Sequence, residues 1–330
     1  MEATVKPKRI LVTGVGANPG FDLARSLLRL GHEVICTDAH PLAPGLLLPS
    51  TTPQVTPRAD DPGYPAAMTS LCKELSVEAI AAGIENDLPP LLEMRDDLAA
   101  LGVKVWLPDA ASVETCLDKA AFHDALTAHG IPTPRTFLPE EVDATPASLE
   151  LVVKPRRGHG AQNVYFCHSR EQARVLCELV PDAMVQERIY GSEFTADCLV
   201  DRAGGASVIL RHRDLVKAGL AVVASTFHDT AVSDRVKETL RAVGAAGLCC
   251  VQGFIPDGEP SRITITELNV RVAGGFALAE AAGADLVGQW VSGLFGLPVD
   301  HDRLTYRPGV FLTKYVETLA TGDVDTLPLP

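Results

Sequence analysis

The chain has 330 residues, 46% of them hydrophobic and 22% charged, and a formal net charge of −13. That length and composition suit a globular protein with a large core, divided into two or three domains. The acidic balance excludes unassisted binding to nucleic acid or an anionic membrane, and neither a secretion signal nor an apolar run of membrane-spanning length is present.

Strand and helix signals alternate through the first hundred residues. RILVTG is an apolar strand, FDLARSLLRLGHE an amphipathic helix ending at Gly31, and EVICTDAHP a second strand. YPAAMTSLCKELSV is helical, VEAIAAGIEND a third strand, LPPLLEMRDDLAALG one helix and VKVWLP a fourth strand. Repeated βα units of this kind predict an open parallel sheet. DAASVETCLDKAAFHDALTAHGIPTPRTF then gives two helical stretches and a proline-punctuated exit.

A new unit follows. LELVVKPRRGHGAQNVYFCHS is a strand, a glycine-containing loop and a returning strand, and REQARVLCELVPD is helical. AMVQERIYGSEFTADCLVD and ASVILRHRDLV are antiparallel strands, DRVKETLRAVGAAGL is a helix, and CCVQGFIPDGEPSRITITELNV is a hairpin with a long turn. Boundaries are expected near Pro108 and Pro181. The eight cysteines form no CxxC pair and read as reduced, mostly buried thiols of a cytoplasmic protein.

VTGVGANPG places Gly14, Gly16 and Gly20 between a strand and a helix, where amides can cradle a phosphate, and Asp38 ends the next strand, where a dinucleotide fold holds a ribose. Tight strand–helix turns need glycine for structural reasons alone. None of the five tyrosines has a lysine four residues on, as a short-chain dehydrogenase would require. A second loop, VVKPRRGHGAQNV, carries Lys154, Arg156, Arg157, Gly158, His159 and Gly160. It suits a polyphosphate, or is an exposed hairpin with solvated charges; it lacks the P-loop pattern.

In ITITELNVRVAGG, alternation puts Glu267, Asn269 and Arg271 on one strand face. The face is either polar and solvated or a site. Arg211, Arg213 and Lys217 could hold an anionic substrate group or lie on an exposed strand edge. Glu85 and Asp87 could hold a substrate ammonium at the end of the third strand, although a helix N-cap role for Asp87 competes.

The order of these pieces, from about Arg9 to Gly275, resembles the ATP-grasp superfamily, especially carbamoyl-phosphate-synthetase-like and small amino-acid ligases. LDKAAFHDALTAHGIPTPRTF, VVKPRRGHGAQNV, VQERIYGSEFTADCLVD and VQGF…ITELNVRVAGG carry the resemblance. It implies an α/β chain: an N-terminal open parallel pre-ATP-grasp domain (1–108), a linker and small nucleotide-binding lobe (109–181), and a C-terminal lobe with the metal site (182–330). Lys119 and Lys154 would reach ATP. Gly158, His159 and Gly160 would form the flap over the phosphates. Gln186, Glu187, Arg188 and Ile189 would form the adenine hinge, and Glu193 would bind the ribose. Gln252, Glu267 and Asn269 would be the metal ligands and Arg271 the arginine at the transferred phosphoryl group, with His159 and Lys217 as further catalytic candidates.

The resemblance implies ATP and Mg2+, with Mn2+ as a substitute, and ADP-forming ligation of a carboxylate to an amine through an acyl phosphate. The expected partners are small carboxylate and amine substrates. A carrier protein is an open alternative, and homodimers are common among similar ligases. Two other functions stay open: an NAD(P)-dependent oxidoreductase using the first glycine loop, and a non-catalytic ATP-binding protein.

Overall fold

The computed structural model describes residues 5–158 and 160–316. The first sheet uses β1 (Arg9–Val12), β2 (Glu33–Asp38), β3 (Thr51–Val55) and β4 (Ala79–Ala81), with helices α1 (Asn18–Arg29) and α2 (Tyr64–Glu74) in the connections. Its order is β3-β2-β1-β4 and its pairings are parallel. Ile10, Leu11 and Val12 are all fully buried, as a parallel strand covered on both faces requires.

Three sequence expectations change here. β3 was not foreseen: its TTPQV pattern is interrupted by Pro53, which an edge strand tolerates because no further strand needs its missing donor. The predicted fourth strand at 103–108 reduces to a bridge between Ala79 and Lys104. Beyond it Trp106, 6% exposed, joins a core shared with Leu248 and Trp290 of the C-terminal half, so burial of the indole draws the chain off the sheet. The single helix predicted over LPPLLEMRDDLAALG is two, α3 (Leu88–Glu93) and α4 (Arg95–Ala100), broken at Met94, where ψ is 0.

α5 (Ala110–Leu117) and α6 (Lys119–Ala128) follow, each opened by an aspartate. Asp109 accepts from the Ser112 amide, and Asp118 from those of Ala120 and Ala121. Such caps satisfy helix donors that have no partner within the helix.

A small antiparallel sheet, order β5-β8-β6-β7, comprises β5 (Thr136–Phe137), β6 (Leu151–Pro155), β7 (Tyr165–Cys167) and β8 (Ala183–Glu187); α7 (Arg170–Leu179) runs between β7 and β8. It has its own core around Leu151, Val153, Val185 and Ala173. The predicted strand–loop–strand at 150–168 is the β6–β7 pair. AMVQERIYGSEFTADCLVD, expected as one strand, is two in different sheets.

The large sheet contains β9 (Gly191–Val200), β10 (Ala206–Lys217), β11 (Leu220–Thr226), β12 (Gly247–Pro256), β13 (Thr264–Asn269) and β14 (Phe311–Thr313). Its order is β13-β12-β9-β10-β11-β14, antiparallel throughout. β11 is not among the strands that the sequence pattern predicts, whereas the β12–β13 hairpin is. α8 (Thr230–Ala242), α9 (Ala277–Ala281) and α10 (Leu286–Leu294) complete the described elements of regular helix and sheet. All eight cysteines are free, and all but Cys177 are buried. No helix among the described residues is long and apolar enough to cross a membrane.

Candidate active site

A cavity of about 480 Å³ lies where the small sheet faces the large one. β6 brings Lys154 to it, α6 brings Lys119, and β8 with the chain leaving it brings Gln186 to Ile189. Glu193 comes from β9, Gln252 from β12, Glu267 and Asn269 from β13, and Arg271 from just beyond it; Gly158 and Gly160 line the same space. Two sequence candidates are not gathered there. Lys217, at the end of β10, is exposed and, unlike Ala218 and Gly219 that follow it, does not line the cavity, a correction to its placement at the site. His159 lies outside the described residues.

Register explains the wall of oxygen donors. Gln252 and Glu267 are direct cross-strand partners, as are Cys250 and Asn269. One carboxylate and two carboxamides therefore share a wall. That donor set fits magnesium, which takes oxygen ligands and draws several from water and phosphate. With the Asn269 amide turned so that its nitrogen donates, it meets Glu85 and Glu267; the opposite orientation would offer its oxygen to a cation.

The cations are distributed unevenly. Lys119 Nζ donates to the Gly158 carbonyl at 2.8 Å and lies 4.0 Å from Glu267. Lys154 borders the cavity yet is packed closely by protein atoms. Burial lowers its pKa to about 8, with Glu267 opposing the drop and Lys119 adding to it. Arg213 approaches Glu193 at 3.1 Å and donates to the Gly219 carbonyl at 2.9 Å. Burial nonetheless raises the Glu193 pKa, with Arg213 opposing it. The proposed ribose acid is thus paired with a residue that the sequence left between substrate and surface roles.

Arg156 and Arg157, which the sequence leaves between phosphate contacts and solvated charges, are committed to neighbouring carboxylates. Arg156 binds Asp118 at 2.5 Å and Arg157 binds Glu114. They fasten the glycine loop to the α5–α6 corner. The hinge side chains are also committed: Gln186 to Thr136 at 2.8 Å, Glu187 to Arg135 at 2.9 Å and Arg188 to Glu150 at 3.1 Å. Arg188 also lies over the Phe166 and Tyr190 rings. The Glu187 and Arg188 amides are committed as well, to the Arg135 and Glu150 carbonyls, so a ligand edge would be read by what remains of the hinge main chain.

A second cavity, about 760 Å³, opens beside the first sheet. The two share Ile84, Glu85, Lys119, Gly158, Glu267 and Asn269. Glu85 sits at this junction and pairs with Arg271 through Oε1 at 2.5 Å, so its charge is shared with that guanidinium. Asp87 makes no side-chain cap to α3. Burial raises its pKa to about 6, with the Thr13 hydroxyl opposing and Asp38 adding to the rise.

The first glycine loop is closed on itself. The Gly16 amide donates to Asp38 Oδ2 at 2.7 Å, so amide and carboxylate, the expected phosphate and ribose contacts, satisfy one another. A Cβ on Gly20 would stand 2.5 Å from the Gly14 carbonyl oxygen, which accounts for that glycine by packing. A Ser207–His301–Asp201 chain also exists, with contacts of 2.8 and 3.0 Å. None of the three lines either cavity, and Asp201 accepts from the Ala203 and Gly205 amides, so the chain pins the β9–β10 turn. Sequence reasoning had no signal for this chain, for the Asp118 latch or for the buried pairing of Arg211 with Asp197, because each rests on residues distant in sequence or on ordinary turn chemistry.

Comparison with known proteins agrees with this architecture. The family described as ATP-grasp domain matches residues 116–275, and the PylC-like, N-terminal domain matches residues 10–106. The chain is 23% identical over 314 residues to the carbamoyl phosphate synthase large chain of Methanoculleus marisnigri, covering 83% of this chain and 29% of that protein. It therefore spans under a third of the length of this curated relative. Among solved structures, biotin carboxylase from Campylobacter jejuni superimposes with a TM-score of 0.73 at 13% identity, covering 93% of this chain and 74% of that one. L-amino acid ligase from Bacillus licheniformis gives 0.72 at 18% identity, covering 93% and 78%. At these identities the structural likeness is one of fold.

Proposed function

Since this chain belongs to the ATP-grasp superfamily, with the domain match at residues 116–275, we propose that it is an ADP-forming carboxylate–amine ligase acting on an amino acid or similar small carboxylate. The observation that carries this reading is the convergence of Lys119, Lys154, Glu193, Gln252, Glu267, Asn269 and Arg271 on one cavity from five separate segments. In this reading Lys119 and Lys154 hold the ATP phosphates and the hinge takes the adenine through its main chain. Magnesium, held by Gln252, Glu267 and Asn269, would neutralise phosphate charge. The substrate carboxylate attacks the γ-phosphorus, ADP leaves, and an amine displaces phosphate from the acyl phosphate. Arg271 faces the charge that develops and Glu85 fixes its guanidinium, a positioning and electrostatic role.

Three domains are proposed with it: a pre-ATP-grasp unit at 1–108, a linker and small lobe at 109–181, and a larger lobe at 182–330. A cytoplasmic setting accords with eight unpaired thiols. The test is phosphate release from ATP and magnesium across pooled amino acids. ADP and phosphate that require one pool and vanish in Glu267→Ala support the reading; AMP and pyrophosphate, or release independent of any acid, overturn it.

A further inference from the structure

The larger cavity is lined by five carboxylates, and of its lining cations Arg58, Lys119 and Arg157 the last is drawn to Glu114 outside the cavity. Of the carboxylates on its wall, Asp60 pairs with Arg58 at 3.0 Å, Glu85 with Arg271 and Glu267 with Lys119. Asp38 and Asp87 have no ion-pair partner among the described residues. Asp38 is satisfied by amides, those of Gly16 and His40, which leave its charge in place. Asp87 is 5% exposed and its Oδ2 has no hydrogen-bond partner. Tyr64 lines the same cavity, is 2% exposed, and its hydroxyl is also unpartnered.

A buried polar group left without a hydrogen-bond partner is destabilising. A tyrosine hydroxyl and a carboxylate oxygen in this state, with a second unneutralised carboxylate nearby, ask for a cationic donor. An ammonium has three N–H donors and no acceptor, and its charge is opposite to that of the carboxylates. The wall also carries Pro41, Pro57 and Pro89, apolar surface that suits a small carbon body.

We infer that this cavity binds a small substrate amine-first, its ammonium held by Asp87, Asp38 and the Tyr64 hydroxyl. Its other end, a carboxylate or a second amine, reaches the Glu85–Lys119–Glu267–Asn269 junction shared with the nucleotide cavity. The assignment rests on the ligase reading and adds to it the class of substrate and the side chains that select it. Side-chain capping by Asp87, the competing explanation of that residue, is absent.

The test is calorimetry on the full chain with L-lysine, 1,5-diaminopentane, 6-aminohexanoate and hexanoate, each in the presence of magnesium and a non-hydrolysable ATP analogue. At least one amine probe should bind, and hexanoate at least tenfold more weakly. Asp87→Asn and Tyr64→Phe should each weaken the amine at least tenfold while leaving affinity for the ATP analogue unchanged, which also reports that the variants are folded. Hexanoate binding as tightly as 6-aminohexanoate, variants that bind the amine like the parent, or no amine binding by a protein that holds the nucleotide would each overturn the inference. Failure to bind the ATP analogue would instead strike the ligase reading itself.

Discussion

Arg271 Nη2 lies 2.5 Å from Glu85 Oε1, joining residues 186 positions apart. One stands beyond the last strand of the hairpin and the other beyond the last strand of the parallel sheet, so the pair ties the proposed phosphoryl site to the substrate cavity. Both side chains are largely buried, at 13% and 11% exposure. Removing one partner of a fully buried pair costs about 3–5 kcal/mol, and access to the cavity reduces that here. Glu85→Ala should therefore lower stability by about 2 kcal/mol, measured by urea denaturation. Arg271→Ala should lower kcat by about 10²–10³ with little change in affinity for the ATP analogue. A Glu85→Ala protein as stable as the parent would show that the pair is not holding the two halves together.

Lys154 sets a pH limit. Its pKa is about 8, brought down chiefly by burial, so the ammonium that would meet ATP phosphates is lost as pH rises through 8. The KM for ATP should rise from pH 7 to pH 9.5, and Lys154→Arg, whose charge persists, should flatten that dependence. Stability runs the opposite way. The unfolded chain holds the proton to higher pH than the folded one, so this group's contribution improves as pH rises from about 8 to about 10.4. A pH-independent KM for ATP in the parent would remove Lys154 from phosphate binding.

The sequence made the strand-borne parts of the site legible because alternation is a local rule. Glu267 and Asn269 can be placed on one face from their spacing alone, and Gln252 opposite them once the hairpin is recognised. It could not show side-chain commitments made at long range. Arg156 and Arg157 look like phosphate ligands until Asp118 and Glu114 come into reach. Asp87 looks like a helix cap until its carboxylate is found uncapped and buried. The missed β3 and the lost strand at 103–108 have separate causes: Pro53 masks a strand pattern locally, and Trp106 obeys a long-range core that periodicity does not describe.

Asp118 gives a prediction in which fold and loop separate. It accepts from two α6 amides and binds Arg156 at 2.5 Å. Burial opposes its charge, but Arg156 and the amides outweigh it and hold the carboxyl below the ordinary range. Its stabilising effect is therefore present above the unfolded value of about 3.9 and is lost as pH falls through the lower folded value. Asp118→Ala should cost about 1–2 kcal/mol at pH 7, with the gap from the parent closing in strong acid. It should also raise the KM for ATP, since the glycine loop loses its latch to α6. Asp118→Asn keeps an acceptor for the amides and should recover part of the stability but little of the KM. Equal KM values in parent and both variants would mean that the loop does not need this latch.

Gly275 lies against a buried ion pair that gives it little room. Arg211 and Asp197 are each 2% exposed and joined by contacts of 2.8 and 3.3 Å. A Cβ at position 275 would stand 2.7 Å from Arg211 Nη1, and the guanidinium cannot swing away without leaving Asp197 unpaired. Gly275→Ala should destabilise by about 1–3 kcal/mol through overpacking, and Asp197→Ala by about 3–5 kcal/mol through the stranded charge. The two effects share Arg211. With Asp197 gone, the arginine is free to move from the new methyl, so the double variant should be more stable than the sum of the single losses implies. Strict additivity in denaturant titrations of the four proteins would show that the methyl acts on something other than the Arg211–Asp197 pair.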